Sequence, residues 1–102
     1  MLLQKCGGFS APGTTVGATS WLEGGQIHIR VYVGDKGKIT EHCWDKDQWY
    51  IGQFKADGDG AAATSWLVGS QIFIRVYVRE ATGKYVEYCW DKGPWYRGGY
   101  PG

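Results

Sequence analysis

Apolar and polar side chains alternate along two segments of the chain, residues 27–33 and 72–78. In the first segment the aliphatic positions are Ile27, Ile29, Val31 and Val33, and the positions between them are His28, Arg30 and Tyr32. A period of two places these two sets on opposite faces of an extended strand. The turn-forming residues 34–37 follow the first segment, so the pattern predicts a β-hairpin at this point.

The two segments belong to two copies of one longer unit. Ala18–Leu22 recurs as Ala63–Leu67, 45 residues later, and Glu41–Lys46 recurs as Glu87–Lys92, 46 residues later. The second copy therefore carries one extra residue in its central turn. Repeats of this length are typical of propeller blades or solenoid units.

Each unit divides into four short strands of the kind that make one propeller blade. In the first unit the expected strands lie around residues 18–21, 27–33, 39–45 and 49–54. The predicted fold class is all-β, with two four-stranded propeller blades per chain, at residues 16–57 and 58–102. In this interpretation residues 1–15 are a leader without a repeat counterpart, and Lys55–Gly60 is the linker between the blades.

A propeller usually needs about 4–8 blades to close, which is more than this chain supplies. A lone pair of blades leaves two apolar faces exposed, so we expect a homo-oligomer with cyclic symmetry. A dimer has four blades, a trimer six and a tetramer eight, and the blade pattern alone leaves these ring sizes open.

The hairpin register predicts which side chains meet. If Val33 lies opposite Lys38, then Arg30 lies opposite Glu41, and Trp44 faces the other side of the sheet because its parity differs. The residues that repeat this arrangement in the second copy are Arg75, Glu87 and Trp90. In a ring, the arginine–glutamate face of one blade meets the tryptophan face of the next, so each cleft collects all three residue types.

This combination suits a neutral sugar. Glutamate accepts and arginine donates charge-assisted hydrogen bonds to hydroxyls, while an indole covers the apolar face of a pyranose. Each part also has an ordinary explanation, as a cross-strand ion pair or a core tryptophan, but their duplication in one cleft favours binding. The remaining repeated aromatic residues are interpreted as packing residues: Tyr32, Tyr77, Trp21 and Trp66.

Composition narrows the function classes. The 102 residues carry a formal net charge of +1, with scattered lysines and arginines, which argues against nucleic acid as a partner. No segment has the length and apolarity of a membrane helix, and the N-terminus lacks the apolar core of a signal peptide. We therefore expect a soluble protein, cytoplasmic or secreted without a recognisable signal peptide.

The three cysteines argue against a full disulfide framework, because their number is odd. Cys43 and Cys89 occupy equivalent positions in separate blades, so they are predicted to be buried free thiols. Cys6 lies in the leader and is a candidate for an exposed, reactive thiol.

Several longer strings connect the chain to a known family. They are ATSWL, HIRVY with its twin FIRVY, KITEHCWDK, WYIGQF and SWLVGS, between about Gly17 and Tyr100. These strings resemble the fucose-specific lectins of the Aleuria aurantia lectin family, in its short two-blade bacterial form. The resemblance implies a six-bladed β-propeller built as a homotrimer. It also implies binding of L-fucose and fucosylated oligosaccharides, with no enzymatic activity, cofactor or metal.

The resemblance further implies two fucose sites per chain. The site within the chain consists of Arg30, Glu41, Gln53, Trp90 and Trp95, with Ile72 and Ile74 near the fucose methyl group. The site between chains consists of Arg75, Glu87 and Gly99 of one chain and Trp44, Trp49 and Ile27 of its neighbour. Gln53 stands where relatives often have a small residue, which alters one wall of the first pocket.

Two other function classes remain open at this stage. A glycosidase is one, although glycoside hydrolysis usually uses two carboxylates and each expected site offers one glutamate. A protein-interaction propeller is the other, because Trp44-Asp45 and Trp90-Asp91 match the dipeptide of WD repeats. The Gly-His signature of those repeats is missing, so we interpret the match as coincidence.

Overall fold

The computed structural model describes residues 9–46 and 48–101, and within them the chain forms eight β-strands. Their bounds are β1 Thr15–Glu23, β2 Gln26–Asp35, β3 Lys38–Trp44, β4 Trp49–Asp57, β5 Gly60–Val68, β6 Gln71–Arg79, β7 Tyr85–Trp90 and β8 Tyr96–Arg97. Strands β1–β4 form one antiparallel sheet and β5–β8 form a second, each in sequence order. The prediction of an all-β chain with two four-stranded blades is confirmed.

The central hairpins have a different register from the predicted one. Glu41 lies opposite Tyr32, and Arg30 lies opposite Cys43, so the direct pairing of Arg30 with Glu41 is wrong by two residues. The turn is tighter than expected: Asp35 pairs with Lys38, and only two residues separate them. Lys36 has φ 54° and Gly37 has φ 80°, as in the type I′ turn that matches the twist of paired strands.

The second hairpin shows the same shift. Tyr77 lies opposite Glu87, and Arg75 lies opposite Cys89, so the predicted pairing of Arg75 with Glu87 is also wrong. A shift of two residues leaves every side chain on its predicted face, because side chains alternate with a period of two. The arginine and glutamate therefore still face away from Trp44 in the first blade and from Trp90 in the second.

The linker between the blades is shorter than predicted. Ala56 and Asp57 pair with Ile39 and Lys38, so β4 continues through the first half of the expected linker. Only residues 58 and 59 separate β4 from β5. The two sheets are consequently held close together at the junction.

The hydrophobic core lies between the two blades. Tyr32, Ile39 and Phe54 of the first blade pack in one cluster with buried residues of β6, among them Val76 and Val78. Near β5 the backbones approach closely at Gly17, where a Cβ atom would lie 2.3 Å from the Ala61 carbonyl oxygen. Thr19 Oγ1 and Ser65 Oγ, 2.7 Å apart, add a hydrogen bond between the blades.

Residues 9–14 do not behave as an unrepeated leader. Thr14 N donates to Gly34 O at 2.9 Å, and Asp59 N, 45 residues later, donates to Arg79 O at the same distance. Phe9 likewise contacts the first blade as Phe54 contacts the second. Residues 9–14 therefore have a counterpart in residues 54–59, which the sequence comparison did not find, while residues 1–8, including Cys6, lie outside the described part.

Cys43 and Cys89 are free and buried, so that prediction is confirmed. Across residues 9–46 and 48–101, no helix is long and apolar enough to cross a membrane.

Candidate functional site

The cleft between the two blades contains a pocket of about 350 Å³, within the size range of small-ligand sites. The first blade contributes Trp21, Arg30, Glu41, Cys43, Tyr50, Ile51, Gly52 and Gln53, and the second contributes Ile72, Ile74, Trp90 and Trp95. Every residue that the sequence assigned to the site within the chain lies in this lining. The opposite faces of two blades meet here, as the parity of the strands predicted.

Arg30 is held by Asp45, and Glu41 is not its ion-pair partner. Two guanidinium nitrogens donate to the two Asp45 carboxylate oxygens at 2.8 and 3.3 Å, and the guanidinium lies 4.9 Å from the centre of the Trp21 ring. Such a forked pair with a carboxylate fixes both the position and the orientation of the charge. Arg30 is therefore presented to the cleft in one defined geometry.

These contacts stabilise the charged form of Asp45. Partial burial acts to raise the pKa of Asp45, but hydrogen bonds from Arg30, Tyr50 and His28 outweigh it and lower that pKa to about 2. His28 Nδ1 lies 2.7 Å from Asp45 Oδ1, and the Tyr50 hydroxyl also donates to this carboxylate. Asp45 thus organises the cationic side of the pocket.

Glu41 is the buried carboxylate of the pocket, with only 4% of its surface exposed. Tyr32 OH donates to its Oε2 at 2.7 Å, and Phe54 N donates to its Oε1 at 3.3 Å. Burial, together with the Glu41 charge, raises the pKa of Tyr32 well above its ordinary value, so this hydroxyl keeps its proton. Tyr32 therefore packs, as predicted, and also positions the glutamate.

Gly52 makes room for this carboxylate. A Cβ atom at Gly52 would lie 2.0 Å from Glu41 Oε1 and 2.7 Å from Cys43 Sγ. Real Cβ atoms do not approach other atoms so closely, so a glycine is required here by space. The repeated glycine is a site residue that the sequence analysis passed over, although its recurrence as Gly98 was visible.

The apolar wall of the pocket is built by the second blade. Trp90 and Trp95 lie with ring centroids 5.6 Å apart and planes inclined by 50°. Trp95 is fixed from behind by Phe54, at 4.8 Å between centroids. Ile72 and Ile74 complete this side, so the pocket has a polar half on one blade and an apolar half on the other.

Trp21 was predicted to be a packing residue, and it lies at the polar edge of the pocket. Its ring stacks on His28 at 5.1 Å with nearly parallel planes. Among the described residues its buried indole nitrogen Nε1 has no hydrogen-bond partner. A buried N–H group normally has one, so Trp21 Nε1 is an exception within this part of the chain.

The second blade repeats the polar half of the site without a covering blade. Arg75 Nη1 donates to Asp91 Oδ1 at 2.8 Å, and Tyr77 OH donates to Glu87 Oε2 at 2.8 Å. Gly98 again leaves room for the carboxylate, since a Cβ atom there would lie 2.1 Å from Glu87 Oε1. This second polar face is complete but exposed.

The residues assigned to the site between chains are divided between the two blades. Arg75, Glu87 and Gly99 belong to the second blade, while Trp44, Trp49 and Ile27 belong to the first. Trp44 and Trp49 have centroids 5.6 Å apart and planes inclined by 56°, close to the geometry of Trp90 and Trp95. One chain therefore carries both sets of residues that the sequence assigned to this site, on two different blades.

Asp45 and Asp91 are the functional residues that sequence reasoning missed. Both follow a tryptophan in the repeated string Cys-Trp-Asp-Lys, and both bind the arginine of their own blade. The repetition was the available signal, and it was interpreted as a chance match to WD repeats. No group of histidine, cysteine, aspartate or glutamate suited to a metal ion occurs within residues 9–46 and 48–101.

A sequence model of the fungal fucose-specific lectins matches residues 4–100. The chain belongs to this family. The match confirms the resemblance and extends it towards the N-terminus beyond the expected start near Gly17. A curated fucose-specific lectin from Aleuria aurantia is 44% identical over 45 residues, which are 44% of this chain and 14% of that protein.

A solved structure of a fucose lectin from Kordia zhangzhouensis, in complex with methyl-fucoside, is also similar. It is 52% identical in sequence, with a TM-score of 0.78, and the alignment covers 90% of this chain and 68% of that one. The two-blade architecture is therefore that of a fucose lectin.

Proposed function

We propose that this fucose-lectin family member binds L-fucose and fucosylated glycans in the clefts between its blades. The observation that carries the proposal is the pocket in which Arg30 and Glu41 of one blade face Trp90 and Trp95 of the next. Membership of the fungal fucose-specific lectin family and the similarity to a lectin solved with methyl-fucoside support the choice of sugar.

The chemistry of the pocket favours a neutral sugar over an ion. The Arg30 charge is already balanced by Asp45, so the guanidinium adds directed N–H donors rather than a free positive charge. Glu41 accepts hydroxyl protons, and the tryptophan rings cover the C–H face of a pyranose. Ile72 and Ile74 supply an apolar surface for the methyl group that distinguishes fucose from most hexoses.

Binding without catalysis is the better interpretation of the same geometry. Glycoside hydrolysis usually requires two carboxylates about 5–10 Å apart across the scissile bond. Glu41 is the one carboxylate residue in the pocket lining, and its oxygens already accept hydrogen bonds from Tyr32 and Phe54. Nothing in this lining offers a separate general acid and nucleophile.

We further propose that copies of the chain close into a ring, as a six-bladed homotrimer. The exposed second polar face supports this assembly: Trp66 is 42% exposed, whereas its counterpart Trp21, covered by the neighbouring blade, is 9% exposed. Placing Trp44 and Trp49 of another copy over Arg75 and Glu87 would complete a second pocket. Several weak sites on one ring would raise the avidity for surfaces that display many glycans.

Calorimetry with methyl α-L-fucoside tests the proposed ligand and the sites together. We expect saturable heat at about two sites per chain in the assembled protein, which is the count that closed rings require. The matched variants Arg30→Ala and Arg75→Ala should each remove one class of sites and leave the other. An absence of heat at millimolar sugar would contradict the proposal, and capture of a protein that free fucose does not displace would favour the protein-interaction alternative.

A further inference from the structure

Phe9 occupies on the first blade the place that Phe54 occupies on the second. Its ring lies 5.0 Å from His42 and 4.7 Å from Trp49, measured between centroids. The Phe54 ring lies 5.3 Å from Tyr88 and 4.8 Å from Trp95, which are the equivalent residues. Phe9 thus covers the first blade as a preceding blade would cover it.

Tyr100 is the third residue of this type. Its backbone nitrogen donates to Glu87 Oε1 at 3.2 Å, as Phe54 N donates to Glu41, and its ring meets Tyr77 edge-on at 5.5 Å. Tyr100 is nevertheless 50% exposed, whereas Phe54 is 2% exposed because Tyr88 and Trp95 of the second blade cover it. In the proposed ring, the blade that follows is the first blade of another copy.

These two observations conflict at one position. When a second copy docks, the Tyr100 ring of one chain must approach His42 and Trp49 of the other, where Phe9 already lies. Two aromatic rings cannot share one close-packed space. We infer that residues 9–13, the N-terminal cap, cover the docking face of the first blade and must be displaced before a second copy can dock there. This inference rests on the proposed ring assembly.

The N-terminal cap is attached to its blade less firmly than the C-terminal segment that carries Tyr100. Residues 9–13 belong to no strand, and sheet pairing begins only at Thr15. The competing C-terminal segment is anchored to its own blade by β8 and by Gly98 N, which donates to Glu87 O at 2.8 Å. Displacing residues 9–13 breaks no strand pairing, whereas displacing the C-terminal segment together with β8 would break the pairing of β7 with β8.

The N-terminal cap leaves part of the apolar surface of the first blade uncovered. A groove of about 650 Å³, open to solvent, lies beside the cap and is lined mainly by apolar side chains that include Val16, Val31 and Val33. Val16 is 64% exposed, so a docking copy has apolar surface to bury beyond the area that the cap covers. The cap is tethered to the face it covers, which gives it a high effective concentration there.

The test compares assembly of the full-length protein with that of three variants across a dilution series, using sedimentation or mass photometry. Removing the cap's anchor in Phe9→Ala should lower the assembly midpoint by about tenfold, because a larger fraction of chains presents the docking face. Tyr100→Ala should raise that midpoint by about tenfold, through loss of a buried aromatic contact. Ser10→Ala, at an exposed cap position, is the matched control and should leave the midpoint unchanged.

The other outcomes separate the two proposals. If wild type and Tyr100→Ala differ as expected but Phe9→Ala assembles no better, the ring stands and the inference about the N-terminal cap is wrong. Weaker assembly of Phe9→Ala would also overturn it, because Phe9 would then belong to the finished interface. If no variant assembles at any concentration, both the ring and the cap inference fail.

Discussion

Asp45 and Asp91 determine how each blade presents its arginine. Each carboxylate binds the guanidinium of its own sheet and also accepts a hydrogen bond from a tyrosine on the next strand, Tyr50 or Tyr96. An arginine held in this way loses little side-chain entropy when a ligand binds, which favours affinity. The aspartate acts through the arginine and does not line the pocket itself.

The pH dependence of stability tests the role of Asp45. Its folded-state pKa of about 2 lies below the ordinary value of 3.8, so its stabilising effect is fully present above about pH 4 and is lost as pH falls through about 2. Asp45→Asn should therefore flatten the fall in unfolding free energy between pH 5 and pH 2, measured by urea denaturation. The exposed Asp57→Asn is the control, and parallel curves for wild type and Asp45→Asn would contradict the assignment.

At the scale of strands, pairing brings a glycine of β4 beside the glutamate of β3. The backbone of β4 passes so close to Glu41 that Gly52 has no space for a side chain. The next residues, Gln53 and Phe54, then serve different faces: Gln53 lines the pocket, and Phe54 packs against the following blade. Residues 52–54 of β4 therefore contribute both to the pocket and to the packing between the blades.

Gly52→Ala should damage both the fold and the pocket within the chain. Overpacking of this kind costs about 1–3 kcal/mol of unfolding free energy and displaces the Glu41 carboxylate, so fucose binding at that pocket should be lost. Urea denaturation and calorimetry measure the two effects. Gly98→Ala is the matched variant and should affect only the second class of sites, while normal stability and binding in Gly52→Ala would disprove the steric argument.

At the scale of the whole molecule, the two described blades share one cleft, and each turns one further face away from it. The first blade has its polar face covered and its tryptophan face turned towards the N-terminal cap, whereas the second blade has its polar face open. These two faces repeat halves of the cleft between the blades, so joining them in the proposed ring would make a further copy of the same interface. Head-to-tail contacts of this kind close into rings when the rotation between units allows it.

Pairs of substitutions on different blades test whether the second site spans two chains. Trp49→Ala and Arg75→Ala should remove the same class of fucose sites, so the double variant should keep the sites within the chain. Trp95→Ala combined with Arg75→Ala should remove both classes. Calorimetric stoichiometry at concentrations above the assembly midpoint gives the answer, and an unchanged number of sites in Trp49→Ala would contradict the shared site.

The sequence alone determined the repeat, the two blades and the face on which each side chain lies. Those features follow from the alternation of side chains along each strand. A register that is wrong by two residues leaves every side chain on its predicted face, so Arg30 and Glu41 still faced Trp90 and Trp95. Only the tertiary structure decided the contacts. Because the turn at Lys36 and Gly37 is tight, Tyr32 and not Arg30 lies opposite Glu41 and donates a hydrogen bond to it. Arg30 instead forms its ion pair with Asp45.

The tertiary structure also decided the place of Phe9. Its counterpart Phe54 lies 45 residues later, and the nearby matches of Ala11 with Ala56 and of Gly13 with Gly58 are a repeat signal that the sequence interpretation missed. Local pattern determines which way a strand faces, but turn geometry and the approach of a neighbouring blade select the partner. For that reason the fold, the candidate site and the repeat at Phe9 were present in the sequence, whereas the ion pairs and the contacts of the Phe9 ring came from the tertiary structure.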